Sequence, residues 1–139
     1  MILLDTSGLF AVLYPGQPAS ESARAAIAKE DPPYVLSPFV LCELDYLITS
    51  RARRPNLAVA LLDEVGAGAY ELALFGADDV RAAAQVVRRY NDLQIGLTDA
   101  SIVVLAERHE TNRVLTLDER HFRALRVGRR PFVVLPADA

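Results

Sequence analysis

Five short apolar runs decide what this chain can fold into: Ile2–Leu4, Tyr34–Leu36, Tyr70–Leu74, Val114–Leu117 and Phe132–Leu135. Each suits a strand and none is long enough for a buried helix. Most of the stretches between them carry the spacing of amphipathic helices. Strands joined through helices cannot pair as tight hairpins, so they line up in parallel. The predicted architecture is an α/β sandwich with a mainly parallel central sheet of about five strands. Thr6 or Ser7 is expected to cap a helix through Tyr14, stopped by Pro15-Gly16. Ser20–Lys29 reads as an Ala-rich helix. Ser37 as N-cap with Pro38 at the first helical position starts a third helix, running to about Arg51. Pro55 starts another that ends near Gly66 and Gly68. Asp78 and Asp79 open a helix to about Tyr90, Thr98 caps one from Asp99 to about Glu110, and a helical turn falls around Glu119–Leu125.

A length of 139 residues predicts a single domain, 1–139, with a core of its own. Hydrophobic residues make up 52%, which excludes a disordered chain. The one cysteine, Cys42, allows no internal disulfide, so an intracellular, cytoplasmic setting is expected. The opening MILLDTSG lacks a basic segment and Asp5 interrupts its apolar run, which argues against a signal peptide. No stretch approaches the length of a membrane helix. The net charge of -3 excludes binding of nucleic acid by bulk positive charge and leaves room for a local basic patch.

Four carboxylates stand where charge is expensive. Asp5 follows Ile2-Leu3-Leu4, and Asp118 follows Val114–Leu117. In open α/β sheets the ligand site lies beyond the carboxyl ends of the strands. Glu43 sits mid-helix beside Val40, Leu44 and Leu47, on the apolar stripe. Asp99 shares the stripe of Ile102, Val103 and Ala106. Taken singly, Asp5 and Asp118 could cap helices, and Asp99 could be an ordinary acid of a first turn. Together they need a partner, because unpaired buried charge is costly and no Lys or Arg shares these stripes. If they converge, their repulsion raises some of their pKa values. A hard divalent cation, Mg²⁺ or Mn²⁺, removes the conflict. Asp45, Asp78, Asp79 and Glu64 read as solvated acids, and Asp92 in YNDLQIG as a turn former.

The segments MILLDTSGLFA, SPFVLCEL with Glu43, LTDASIVVLAE with Asp99 and VLTLDERHF with Asp118 resemble, in order and across essentially the whole chain, the PIN domain and within it the VapC-type ribonuclease toxins. The resemblance implies a PIN-like three-layer α/β/α sandwich and Mg²⁺- or Mn²⁺-dependent cleavage of RNA. It also implies a homodimer and a small VapB-type antitoxin as partner. The family's acids map onto Asp5, Glu43, Asp99 and Asp118, and its small hydroxyl residues onto Thr6, Ser7 and Thr116. Asp5 and Asp99 are then the most direct metal ligands. Asp118 is a further ligand or acts through a water, and Glu43 holds a water or helps remove its proton. Arg120 and Arg123 follow Asp118 closely enough to touch an RNA phosphate. Arg126, Arg129 and Arg130 add a basic patch.

The remaining chemistry-bearing side chains are expected outside the site. His109 lies on the outer side of its helix by phase, His121 reads as a surface or packing residue, and Cys42 as packing. A receiver domain would want a Lys near its last strand, whereas the only Lys is Lys29. A haloacid-type phosphatase would want Asp-x-Asp, whereas the chain has Asp5-Thr6-Ser7. A PIN-like RNA-processing nuclease without a toxin role, or an inactive RNA- or protein-binding module, are the alternatives within the fold.

Overall fold

A single row of leucines crosses the whole sheet. Strands β1 (Ile2–Leu4), β2 (Tyr34–Leu36), β3 (Glu71–Leu72), β4 (Arg113–Leu115) and β7 (Val133–Leu135) pair in the order β3-β2-β1-β4-β7, every pair parallel. In this register Leu72, Leu36, Leu4, Leu115 and Leu135 lie side by side. The computed structural model describes residues Met1 to Ala139. All three residues of β1 are buried, as befits a parallel sheet covered on both faces.

The helices are α1 (Thr6–Leu13), α2 (Ser20–Ile27), α3 (Pro38–Tyr46), α4 (Pro55–Gly66), α5 (Ala77–Arg89), α6 (Leu97–Arg108) and α7 (Glu119–Ala124). They flank the sheet to give the three-layer sandwich. α6 lies against both β1 and α5 and is buried on every residue from Ala100 to Ala106. A helix apolar all round belongs in the interior. α3 continues through a wider turn over Leu47–Arg51, so the helical stretch does reach Arg51 as expected. Ser37 caps α3 through its hydroxyl, which accepts from Phe39 N–H at 3.2 Å, with Pro38 behind it. No helix is long and apolar enough to cross a membrane.

Three local expectations need correction. Asp5, not Thr6 or Ser7, holds the N-cap position of α1, because the Ser7 hydroxyl is drawn to Asp5 and to Leu117 N–H. α6 starts at Leu97 after Gly96, so Thr98 lies inside the first turn and its carbonyl accepts from Ser101 Oγ at 2.6 Å. The third strand is cut to Glu71–Leu72, both exposed, because it has only β2 to pair with and β2 ends at Leu36. A small antiparallel ribbon of β5 (Arg126–Val127) and β6 (Arg130–Pro131) was not foreseen. It turns through Gly128 at φ 60°.

Candidate active site

The polar residues that directly follow the leucine row are Asp5, Ser37 and Thr116. They open the loops at the carboxyl end of the sheet, where β1 connects to β2 on one side and lies beside β4 on the other. The strand order reverses there, and ligand crevices form at such switch points. The helix starts around this point enclose a cavity of about 380 Å³. Asp5, Glu43, Asp99 and Asp118 all line it, together with Thr6, Ser7, Thr98 and His121. No Lys or Arg does.

Asp5 is 6% exposed and is held by hydroxyls. Thr116 Oγ1 donates to its Oδ2 at 2.6 Å and Ser7 Oγ donates to the same oxygen at 3.0 Å. Each hydroxyl accepts a backbone N–H in turn: Leu117 N–H on Ser7 at 2.9 Å and Asp118 N–H on Thr116 at 3.0 Å. A hydroxyl has one proton, so the 3.2 Å approach of Ser7 Oγ to Thr116 Oγ1 is not a further bond. The arrangement saturates one Asp5 oxygen and orients the carboxylate. Burial nevertheless pushes the Asp5 carboxyl above its ordinary range; the two hydroxyls offset part of that, and nearby Glu43 adds to it.

Asp99 stands in the first turn of α6 and Glu43 in the middle of α3. A buried link ties the two helices: Ser37 Oγ and Ser101 Oγ are 2.7 Å apart. Ser101 already donates to the Thr98 carbonyl, so Ser37 donates to Ser101. Burial, then the negative charge of Asp5, raises the Asp99 carboxyl to about 6. Asp118 and Glu43 push the same way, and His121 pulls against them. Asp118 caps α7, its Oδ1 accepting His121 N–H at 3.1 Å. It is therefore both a cap and a member of the cup.

A PIN-domain family profile matches residues 2–127. The chain belongs to the PIN-domain family. It is 41% identical over 136 residues to ribonuclease VapC26 of Mycobacterium tuberculosis, which covers 97% of this chain and 100% of that protein. That similarity places the chain with the VapC proteins. Among solved structures, VapC20 of Mycobacterium tuberculosis, a sarcin–ricin loop cleaving toxin, superposes with a TM-score of 0.78 at 20% identity, over 86% of this chain and 91% of its own. A toxin–antitoxin complex from Klebsiella pneumoniae gives a TM-score of 0.68 at 18% identity, over 90% and 92%. At those identities the likeness is one of fold.

The PIN fold thus brings together all four acids singled out from the sequence, with Thr6, Ser7 and Thr116 at their base. Several of the readings change. Glu43 is exposed rather than buried. Its helix face does point inward, as its apolar neighbours imply, but what it meets is the open cavity instead of packed side chains. Cys42 is exposed and packs against nothing central.

His121, expected at the surface or in packing, is the residue sequence reasoning missed. Its Nδ1 lies 2.9 Å from Asp118 Oδ2 and 3.3 Å from Asp99 Oδ2. A signal was present in the spacing. A residue three places after an N-cap sits back over that cap, so Asp118-x-x-His121 was positioned to share a site. Asp92, in the turn Asn91–Leu93, does not line the cavity. Nor do Arg120 and Arg123. Arg123 is bound to Asp138 through two contacts of 2.8 and 2.7 Å and to Glu119 at 3.0 Å. Arg120 is exposed.

The donor set suits a divalent cation. Four carboxylates without a Lys or Arg leave negative charge uncompensated. Two further polar atoms of cavity-lining residues, Thr6 Oγ1 and His121 Nδ1, are buried without a hydrogen-bond partner.

Proposed function

We propose that the chain is a metal-dependent ribonuclease and the toxin of a VapBC-type pair. The observation that carries this reading is the cup itself: Asp5, Glu43, Asp99 and Asp118 converge at the switch point of a PIN fold with no cationic side chain among them. The ribonuclease name of the 41% identical relative supports the same conclusion. Asp5, Asp99 and Asp118 hold Mg²⁺ or Mn²⁺. Such an ion supplies charge neutralisation at a phosphate and Lewis-acid activation of the attacking water.

The chain's own residues do the rest. Ser7 and Thr116 fix the Asp5 carboxylate by both bonding its Oδ2, which leaves Oδ1 free of side-chain hydroxyls. Glu43, at the open rim, orients the attacking water and accepts its proton at a carboxylate oxygen. Arg120, free and exposed beside the start of α7, is the better candidate for a backbone phosphate. Arg123 is already spent on Asp138 and Glu119.

A protein partner fits the surface as well. The single helix α4 exposes Leu57, Val59 and Leu62 at 42%, 57% and 45%, and Tyr46 nearby in sequence is 58% exposed. Exposed apolar side chains of this size are available to a protein contact. They suit a VapB-type antitoxin or a second copy in a homodimer. An inhibitor that places an Arg against the cup would pair with these carboxylates and compete with the cation.

The test is cleavage of RNA by the purified chain with chelator, then with Mg²⁺ or Mn²⁺ restored, beside expression in a bacterium with and without Asp5→Asn. Cation-dependent cleavage and growth arrest, both lost in Asp5→Asn, are expected. Cleavage that survives chelation and the substitution overturns the reading.

A further inference from the structure

The cup contains one donor that is not oxygen. His121 Nδ1 is buried and has no hydrogen-bond partner, although two carboxylate oxygens lie 2.9 and 3.3 Å from it. The distances suit a hydrogen bond and the angles do not. One ligand atom each from Asp99, Asp118 and His121 fall within 4.8 Å of one another. Around a cation with ligands at about 2.1 Å, neighbouring donor atoms stand about 3.0 Å apart in an octahedron and about 3.4 Å apart in a tetrahedron. The two separations at His121 match such edges. Nitrogen and oxygen atoms packed this closely without a proton aimed between them are arranged as co-ligands.

The surrounding chain holds the imidazole there. Asp118 Oδ1 accepts the His121 backbone N–H, which leaves Oδ2 for the cup. The next residue, Phe122, is fully buried and stacks edge-on against Phe132, which anchors the first turn of α7. No Lys or Arg lines the cavity to compete for the oxygens.

We propose that His121 is a ligand of the cation, through Nδ1, alongside Asp99 and Asp118. The proposal rests on reading the cup as a cation site and adds to it a nitrogen donor. Its consequence is selectivity. Mg²⁺ takes oxygen ligands, whereas imidazole favours first-row transition metals, with affinity rising from Mn²⁺ to Cu²⁺ and falling again at Zn²⁺. The site therefore prefers a transition-metal ion to Mg²⁺, and His121 sets that preference.

The experiment uses the untagged full chain, Mn²⁺ as the probe and pulsed electron paramagnetic resonance to detect ¹⁴N coupled to the bound ion. Wild type is expected to show directly coordinated nitrogen, and His121→Gln to lose it while melting as a folded protein. Mn²⁺ affinity should fall at least about tenfold in His121→Gln, the lower end of what losing even a supporting residue costs at a metal site. Mg²⁺ affinity should change much less. Bound Mn²⁺ without nitrogen coupling in the wild-type chain overturns the proposal and leaves the cup intact as an all-oxygen site. That measurement needs no variant to fold. Coupling that persists in His121→Gln also overturns it. Failure of the wild-type chain to bind Mn²⁺ at all overturns the cup reading together with this one.

Discussion

The two ends of the sheet treat the same chemical group in opposite ways. At the amino end, Glu30 meets Arg113, the first residue of β4, through Nε–H to Oε2 at 2.8 Å and Nη2–H to Oε1 at 2.5 Å. That guanidinium holds the Glu30 carboxyl below its ordinary range. At the carboxyl end, Asp5 and Asp99 have no such partner, and burial holds both above theirs. One end is closed in charge and complete. The other carries carboxylates that no Lys or Arg of the cavity compensates. A carboxylate compensated within the chain serves the fold, and one left uncompensated at a switch point serves a ligand.

The contrast is sharpest in catalysis. Asp5→Asn and Asp99→Asn should each lower RNA cleavage at least about a hundredfold, since the charge stabilisation they anchor is worth several kcal/mol. Glu30→Gln should leave cleavage unchanged. Initial rates on a defined RNA, measured beside thermal melts, check this. Full activity in either cup variant removes that residue from the site.

Stability of the cation-free protein comes next. With a folded pKa near 6 against an ordinary 3.8, Asp99 binds its proton more tightly in the native state than in the unfolded one. The native state is therefore favoured at low pH and loses that advantage as pH rises from about 4 through 6. At pH 7 the penalty amounts to as much as about 3 kcal/mol. In chelator, Asp99→Asn should thus melt several degrees above wild type at pH 7, with the gap closing near pH 4. Equal melts across that range would show that the cup is not strained by its own charge.

A cation should relieve the same penalty. At one hundred times Kd, Mn²⁺ stabilises by about 2.7 kcal/mol if it binds only the native state. Melts at matched ionic strength should rise with Mn²⁺ and not with Na⁺, and Asp99→Asn should blunt the response. The smallest effect belongs to the closed end. Arg113 is 41% exposed, so solvent screens its pair and Glu30→Gln should cost about 1 kcal/mol or less. Because the Glu30 pKa is lowered, that cost should be present at neutral pH and vanish as pH falls below the ordinary carboxylate range. A loss that persists in acid would mean that packing, not charge, is what Glu30 supplies.

Much of this was legible before any coordinates. All five main strands end in Leu, Asp5 directly follows one of those ends and Asp118 lies three residues past another, so both the row and the rim are readable from apolar runs and what stops them. Asp99 was found because a charge on an apolar stripe demands a reason. The same rule located Glu43 but mistook its burial, since a stripe facing a cavity looks in sequence like a stripe facing a core. His121 escaped because α7 spans only six residues and offers too little periodicity to phase a side chain. The β5–β6 ribbon escaped because two-residue strands rich in Arg carry no apolar signature. The hydroxyl pair at Asp5 was suggested by family likeness alone. Residues 109 and 111 positions apart in the chain leave no local pattern.

Gly8 shows how finely that geometry is set. A Cβ at this position would lie 2.3 Å from the carbonyl oxygen of Leu115. The first helix therefore rests on the exit of the fourth strand with nothing between them but peptide. The gap separating the residue at the head of that helix from the loop after that strand is gauged by backbone thickness, which no rotamer can adjust. The cup groups on either side are spaced by a fixed shim. A methyl group inserted there would act at a distance, parting Asp5 from Thr116 and Asp118 while touching none of them.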